Sequence, residues 1–88
     1  MFFVYVLESQ KNGQLYKGFC RDINKRLKEH NAGQTYSTKN GRPWKLIYCE
    51  IFLDKKDAIE RERYLKTGWG RGFLKKILKH YFNNKNIE

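Results

Sequence analysis

Two tyrosines, an arginine–histidine pair and one carboxylate are the residues whose types and spacing in this chain admit chemistry. Tyr5 and Tyr16 sit in apolar runs on either side of a turn signal, Lys11-Asn12-Gly13-Gln14. Side chains alternate across a strand, so two positions with an odd sum share a face when the hairpin loop has an even number of residues. A loop of two residues (Asn12-Gly13) or four (Gln10 to Gly13) satisfies this, and a loop of three would separate the two phenols. Gly18 falls on the same face and leaves room beside them. Two ordinary sheet tyrosines give the same pattern, and the pattern alone favours that plainer reading. Arg26 and His30 are four apart and share one face of a predicted helix, next to an apolar stripe of Ile23 and Leu27. A guanidinium offers a fork of donors matched to phosphate oxygens, although a solvated helix face is the commoner explanation of such a pair.

Glu62 is the most informative of the five. Ala58, Leu65 and Trp69 form an apolar stripe at helical spacing, and Glu62 falls within it, four after Ala58 and three before Leu65. A carboxylate facing a core is unfavourable unless it is paired or bound to a metal. An ion pair with Arg63 or Lys66, a shifted stripe and a metal-ligand role all account for it. The loop from Gln34 to Lys39 carries hydroxyls and a cation and could grip a nucleic acid backbone or simply connect two elements. Lys75, Lys76, Lys79 and His80 make a basic helical face. No phosphate-cradling glycine loop, HExxH, Ser/His/Asp set or CxxC pair is present, which argues against a nucleotide hydrolase and a nucleotide cofactor.

These residues need elements to hold them. Residues 2–8 are aromatic and β-branched and predict a strand, and Leu15 to Phe19 predicts its hairpin partner. Arg21 to Ala32 predicts a helix capped by Asp22 and ended by Gly33. After a polar loop over 34–44, Trp44 to Leu53 predicts a third strand. Asp54 predicts the cap of a second helix running to about Thr67. Gly68-Trp69-Gly70 interrupts it, and a third helix follows from about Gly72 to Phe82, with Phe73, Ile77, Leu78 and Tyr81 at helical spacing. The expectation is one α+β domain over residues 1–83, a small three-stranded, mostly antiparallel sheet flanked by helices in the order β-β-α-β-α-α, with a frayed polar tail at 84–88.

Bulk properties bound what such a domain can do. The chain has 88 residues, too few to enclose a large cavity, so its chemistry belongs on an open surface or shallow cleft. Its 19 Lys and Arg against 9 Asp and Glu give a net charge of +10, spread along the whole chain. A folded domain with that excess attracts polyanions, nucleic acid first and an anionic membrane second. The apolar start, Met1 to Leu7, stops at Glu8; it has no signal-peptide features and is too short to span a bilayer. Cys20 and Cys49 have no ligand spacing and read as reduced packing residues of a cytoplasmic protein, with a zinc site the weaker alternative.

Several signals taken together resemble one family. Phe3-Val4-Tyr5, ten residues, then Tyr16-Lys17-Gly18 resembles the paired triplets of the GIY-YIG nucleases. The run from Asp22 to Asn31 is similar to their arginine-bearing helix, and Ala58 to Lys66 to their metal-binding helix. Arg42 to Tyr48 and Lys66 to Arg71 resemble the small stand-alone bacterial members, related to the N-terminal nuclease domain of the bacterial excinuclease. The similarity spans about residues 2–79. Departures are Phe3-Val4 for Gly-Ile, Lys17 for an aliphatic, and a late asparagine that Asn83, Asn84 and Asn86 lie too far along to supply.

The resemblance implies a metal-dependent DNA endonuclease, cytoplasmic and associated with the nucleoid, with a role in repair or recombination and a partner protein as one source of specificity. Glu62 would hold one Mg²⁺ or Mn²⁺, and Arg26 would stabilise the transition-state phosphate. Tyr5 would accept the proton of the attacking water, Tyr16 would place the water or relay the proton, and His30 would assist the relay or orient Tyr16. A phenol with a reference pKa of about 10 is a poor base at neutral pH, so the metal and Arg26 would have to favour the phenolate. Lys17, Arg21, Lys39, Lys66 and Arg71 would contact the nucleic acid. A nucleic-acid-binding module without turnover, or a basic ribosome- or membrane-associated factor, fits the same charge. The complete Tyr/Tyr/Arg/Glu set favours the enzyme over both.

Overall fold

The computed structural model describes residues 1–84. Three strands, β1 (Phe2–Ser9), β2 (Leu15–Cys20) and β3 (Trp44–Phe52), form an antiparallel sheet in the order β2-β1-β3. Helix α1 (Ile23–Asn31) follows β2, and α2 (Lys55–Leu65), α3 (Gly68–Ile77) and α4 (Lys79–Asn84) follow β3. The expected α+β class and element order hold. The centre of the sheet is β1, which packs on both faces: Val4, Val6 and Leu7 are fully buried and Tyr5 nearly so. Among the described residues no helix is long and apolar enough to cross a membrane.

The two faces hold different things. Tyr5 and Leu7 face α1 and cluster with Trp44, Tyr16, Cys20, Ile23, Leu27, Leu46 and Cys49. Val4 and Val6 face the other way and cluster with Ala58, Leu65 and Leu74 of α2 and α3. Along β3, Trp44 and Leu46 are even positions and Cys49 is odd, yet all three face α1. A bulge reconciles them: Val6 pairs with Tyr48 and Leu7 with Leu46, so Ile47 is the extra residue. Both cysteines are free.

Caps place the helices where their sequences start them. Asp22 accepts from the Lys25 amide, and Gly33 ends α1 with a φ of 79°. Asp54 accepts from the Lys56 amide at the start of α2.

The expectations fail at the α2–α3 corner. Helix α2 stops at Leu65, and Thr67 caps a new helix by accepting from the Gly70 amide, so Gly68-Trp69-Gly70 opens α3 rather than interrupting anything. Because the axis changes there, helical spacing counted from Ala58 does not carry through to Trp69, which is 82% exposed and outside the apolar stripe. Gly70 is required at this corner: a Cβ would lie 2.2 Å from the Tyr64 carbonyl oxygen and 2.4 Å from Leu65 Cα. The single helix expected over 72–82 is two, broken at Leu78, whose φ of −109° and ψ of 21° leave the helical region. Past Asn84, the expected tail lies outside the described residues.

Candidate active site

The hairpin places the two tyrosines. Tyr5 pairs with Gly18 and Leu7 with Tyr16, a register set by the four-residue loop from Gln10 to Gly13, closed by Ser9 and Gln14. Both phenols therefore point to the α1 side, with ring centroids 6.3 Å apart. The Tyr5 ring crosses directly over Gly18, where a Cβ would come within 2.3 Å of its hydroxyl oxygen.

Helix α1 brings the other two groups to the same spot. Arg26 Nε donates to Tyr5 Oη at 3.4 Å, and Nη1 pairs with Glu29 at 3.1 Å. His30 is fully buried, with Nε2 2.9 Å from Tyr5 Oη and Nδ1 2.8 Å from Thr38 Oγ1. The Tyr16 ring stands edge-on to the imidazole at 5.0 Å.

Hydrogen-bond directions in this chain can be deduced. Thr38 Oγ1 donates to the Thr35 carbonyl oxygen at 3.3 Å. With its one hydrogen directed to Thr35, the hydroxyl accepts from His30, which assigns the imidazole proton to Nδ1. In a neutral ring Nε2 then holds the lone pair, and Tyr5 donates to it. The imidazole is kept neutral because burial, and then the charge of Arg26, lower its pKa. Burial pushes the Tyr5 phenol up to about 12, against the opposing effect of Arg26. Arg26 thus works toward the phenolate, as the resemblance asks of it together with the metal, and burial works against it.

Thr38 lies in the loop before β3, which is anchored rather than free. Its carbonyl accepts from Trp44 Nε1 at 2.7 Å, and Asn31 holds Trp44 through both its backbone groups. Thr38 is thus a buried partner of His30, not a hydroxyl offered to a ligand. The sequence marks Thr38 only as one hydroxyl of the Gln34–Lys39 loop, since the seven residues between it and His30 are bridged only by the fold. Glu29, three residues after Arg26, was legible as its partner from helical spacing.

Glu62 comes from a different element. It lies on α2, whose buried residues pack on the opposite sheet face, and its carboxylate pairs with Lys66 Nζ at 3.0 Å. This is one of the ion pairs that the spacing allowed. Lys17, on edge strand β2, pairs with Val6 and so projects to the α2 side, as alternation required. Burial and the nearby charges of Arg71 and Lys66 lower its pKa. Three of the five predicted nucleic-acid contacts, Lys17, Lys66 and Arg71, are therefore neighbours, and Lys66 pairs with Glu62. The open edge β2 carries Tyr16 and Lys17 in succession, one toward each group.

The remaining cations are dispersed. Arg21 lies over the Phe2 ring and shares a cleft with Arg26, while Lys39 lies over the Tyr36 ring. Lys39 also lines a second cleft with Lys11 and Arg42, residues the sequence did not single out.

An ion pair that the sequence did not reveal stabilises the other face. Arg61 donates Nε and Nη2 to the two oxygens of Glu50, at 2.8 and 3.0 Å, and Tyr48 donates to the same carboxylate at 2.6 Å. These contacts tie α2 to β3.

Among the described residues no three His, Cys, Asp or Glu side chains converge as a metal cage. A single carboxylate still suits a hard divalent cation that keeps several waters. Glu62 is reachable, with its side chain 21% exposed, and already holds a cation in the ammonium of Lys66.

Comparison with known proteins identifies the family. The chain is 42% identical to a UPF0213 protein of Staphylococcus saprophyticus over 66 residues, 74% of this chain and 79% of that one. A UPF0213 protein of Staphylococcus aureus is 41% identical over the same shares. The solution NMR structure of a UPF0213 protein from Bacillus halodurans superposes with a TM-score of 0.54 at 28% identity, covering 88% of this chain and 85% of that one. The family model described as the GIY-YIG catalytic domain matches residues 1–76, and the chain therefore belongs to the GIY-YIG family of nucleases.

Proposed function

We propose that this protein is a metal-dependent DNA endonuclease that hydrolyses a phosphodiester across the open edge of β2. The observation that carries the reading is the directed chain from Tyr5 to His30 to Thr38, with Arg26 on the phenol oxygen. It supplies a proton path that needs no free phenolate. As water attacks phosphorus, its proton passes to Tyr5 Oη while the phenol proton passes to His30 Nε2. The phosphorus–O3′ bond breaks and the leaving oxygen takes a proton from solvent. Afterwards Tyr5 is again a phenol, and His30 is an imidazolium whose Nδ1 proton Thr38 still accepts. Tyr16, half-buried beside His30, positions the water. Arg26 keeps Nη2 for the phosphate, since Nε and Nη1 are engaged by Tyr5 and Glu29.

Glu62 would hold the Mg²⁺ or Mn²⁺ by displacing Lys66. The cation, when bound, neutralises charge developing on the phosphate and the departing oxygen. Lys17, Lys66 and Arg71 on one side, with Arg21 and Lys39 on the other, hold the flanking backbone. A role in repair or recombination and a cytoplasmic location accord with such a site.

The test is plasmid nicking at low salt with Mg²⁺ or Mn²⁺, comparing wild type with Glu62→Ala and His30→Ala. Chelator-sensitive nicking by the wild type, lost in both variants, is the expected result. Equal nicking by all three refutes the assignment. The Glu62–Lys66 ion pair favours a second reading, a nucleic-acid-binding module without turnover. It predicts that DNA is bound and left intact, with or without metal.

A further inference from the structure

Trp69 is out of place by any accounting of burial. It is 82% exposed, whereas Trp44, the other tryptophan, is 8% exposed and donates its indole N–H to Thr38. Single exposed apolar residues are ordinary on protein surfaces, but indole is the largest apolar side chain and the surroundings of this one are specific. The α2–α3 corner closes on Gly70, which packs against the backbone of Tyr64 and Leu65 and leaves the adjoining Trp69 side chain in solvent.

The same corner concentrates positive charge. Lys66 caps the C-terminus of α2, and Arg71 reaches back to its carbonyl oxygen at 3.5 Å. Lys17 approaches from β2, close enough that both neighbouring charges make its own less favourable. Glu62 is paired with Lys66, so Lys17, Lys66 and Arg71 together keep a net positive charge that attracts a further anion. Trp69, exposed at the same corner three residues after Lys66 and two before Arg71, offers a flat face on which a base can stack.

We propose that the α2–α3 corner is a nucleobase-stacking site that selects nucleic acid with unpaired bases next to the cut. The indole of Trp69 stacks on the base while Lys17, Lys66 and Arg71 hold its flanking phosphates. This rests on the nucleic-acid reading above and deepens it by naming the substrate class. Phosphate contacts alone would bind duplex and single strand alike and would have no use for the indole. Stacking requires an open base face, which a duplex offers only at an end, a gap or a branch. Because Lys66 also pairs with Glu62, a base held here brings its phosphate beside that carboxylate.

The two tryptophans make the test direct. Indole emission is followed as oligo(dT) or a covalently closed circular duplex is titrated at low salt, and anisotropy of the labelled DNA reports binding independently. Oligo(dT) is expected to quench the exposed indole in the wild type. Trp69→Phe, in which Trp44 alone emits, should bind nearly as well and change little in emission. Trp69→Ala should lose about five- to 150-fold in affinity for oligo(dT), and less for the duplex. Unaltered affinity in Trp69→Ala, or a bound wild-type complex with unquenched Trp69, overturns the stacking site and leaves the nucleic-acid reading standing. Failure of the wild type to bind either probe overturns both.

Discussion

Replacing Thr38 by valine tests the proton path at its least obvious member. Valine has nearly the shape of threonine, so the substitution removes one hydroxyl without opening a cavity. His30 is fully buried and its Nδ1–H would then have no acceptor. An unsatisfied buried donor costs about 1–3 kcal/mol. With urea m-values of about 1–3 kcal/mol/M for small domains, the unfolding midpoint should fall by roughly 1 M. The imidazole can escape this cost by moving its proton to Nε2, but Nε2 then donates toward Tyr5 and can no longer take the phenol proton. Nitrogen NMR of the histidine ring reads that switch directly, independent of any activity. Nicking should fall on the order of 10²–10⁴-fold, the usual contribution of a general base. Thr38→Ser keeps the hydroxyl and should restore both tautomer and rate. If Thr38→Val retains the Nδ1–H tautomer and wild-type nicking, Thr38 is not the group that sets the direction of the chain.

Stability should depend on pH at both ends of the scale. The folded pKa of His30 lies below its ordinary value, so the unfolded chain binds a proton there first as pH falls; melts should show stability level above about 6.5 and declining below it. Tyr5 moves the other way, from 10.0 to about 12, so its contribution is full below 10 and is lost between 10 and 12, about 3 kcal/mol for this phenol. Tyr5→Phe should flatten part of that alkaline loss, and an unchanged profile would deny the burial effect. Gly18→Ala places a methyl against the Tyr5 hydroxyl and should cost about 1–3 kcal/mol in a thermal melt, together with a shift in the tyrosine ring resonances. Arg61→Met removes the bidentate partner of Glu50, a partly exposed pair; a loss of about 1–2 kcal/mol in urea melts, with nicking unaltered, separates this structural pair from the active site.

Much of the fold was legible because its determinants are local. Asp22, Asp54 and Gly33 act within a few residues of themselves, and strand alternation with an even hairpin loop put Tyr5 and Tyr16 on one face and Lys17 on the other. The four-residue spacing of Arg26 and His30 likewise determined that they would point the same way. What the sequence could not express are contacts whose partners are joined only by packing. Thr38 meets His30 because Trp44 and Asn31 anchor the intervening loop. Glu50 meets Arg61 because α2 crosses the sheet. Trp69 was misplaced because helical spacing was counted through a corner where Gly70 lets α3 fold back on α2. Periodicity describes one axis at a time, and an end-to-end change of axis is decided by the close approach of backbones. The charge and the residue types of the site were set by the sequence, while the burial of His30 and Tyr5 was decided by tertiary structure, since it depends on which groups exclude water from which others.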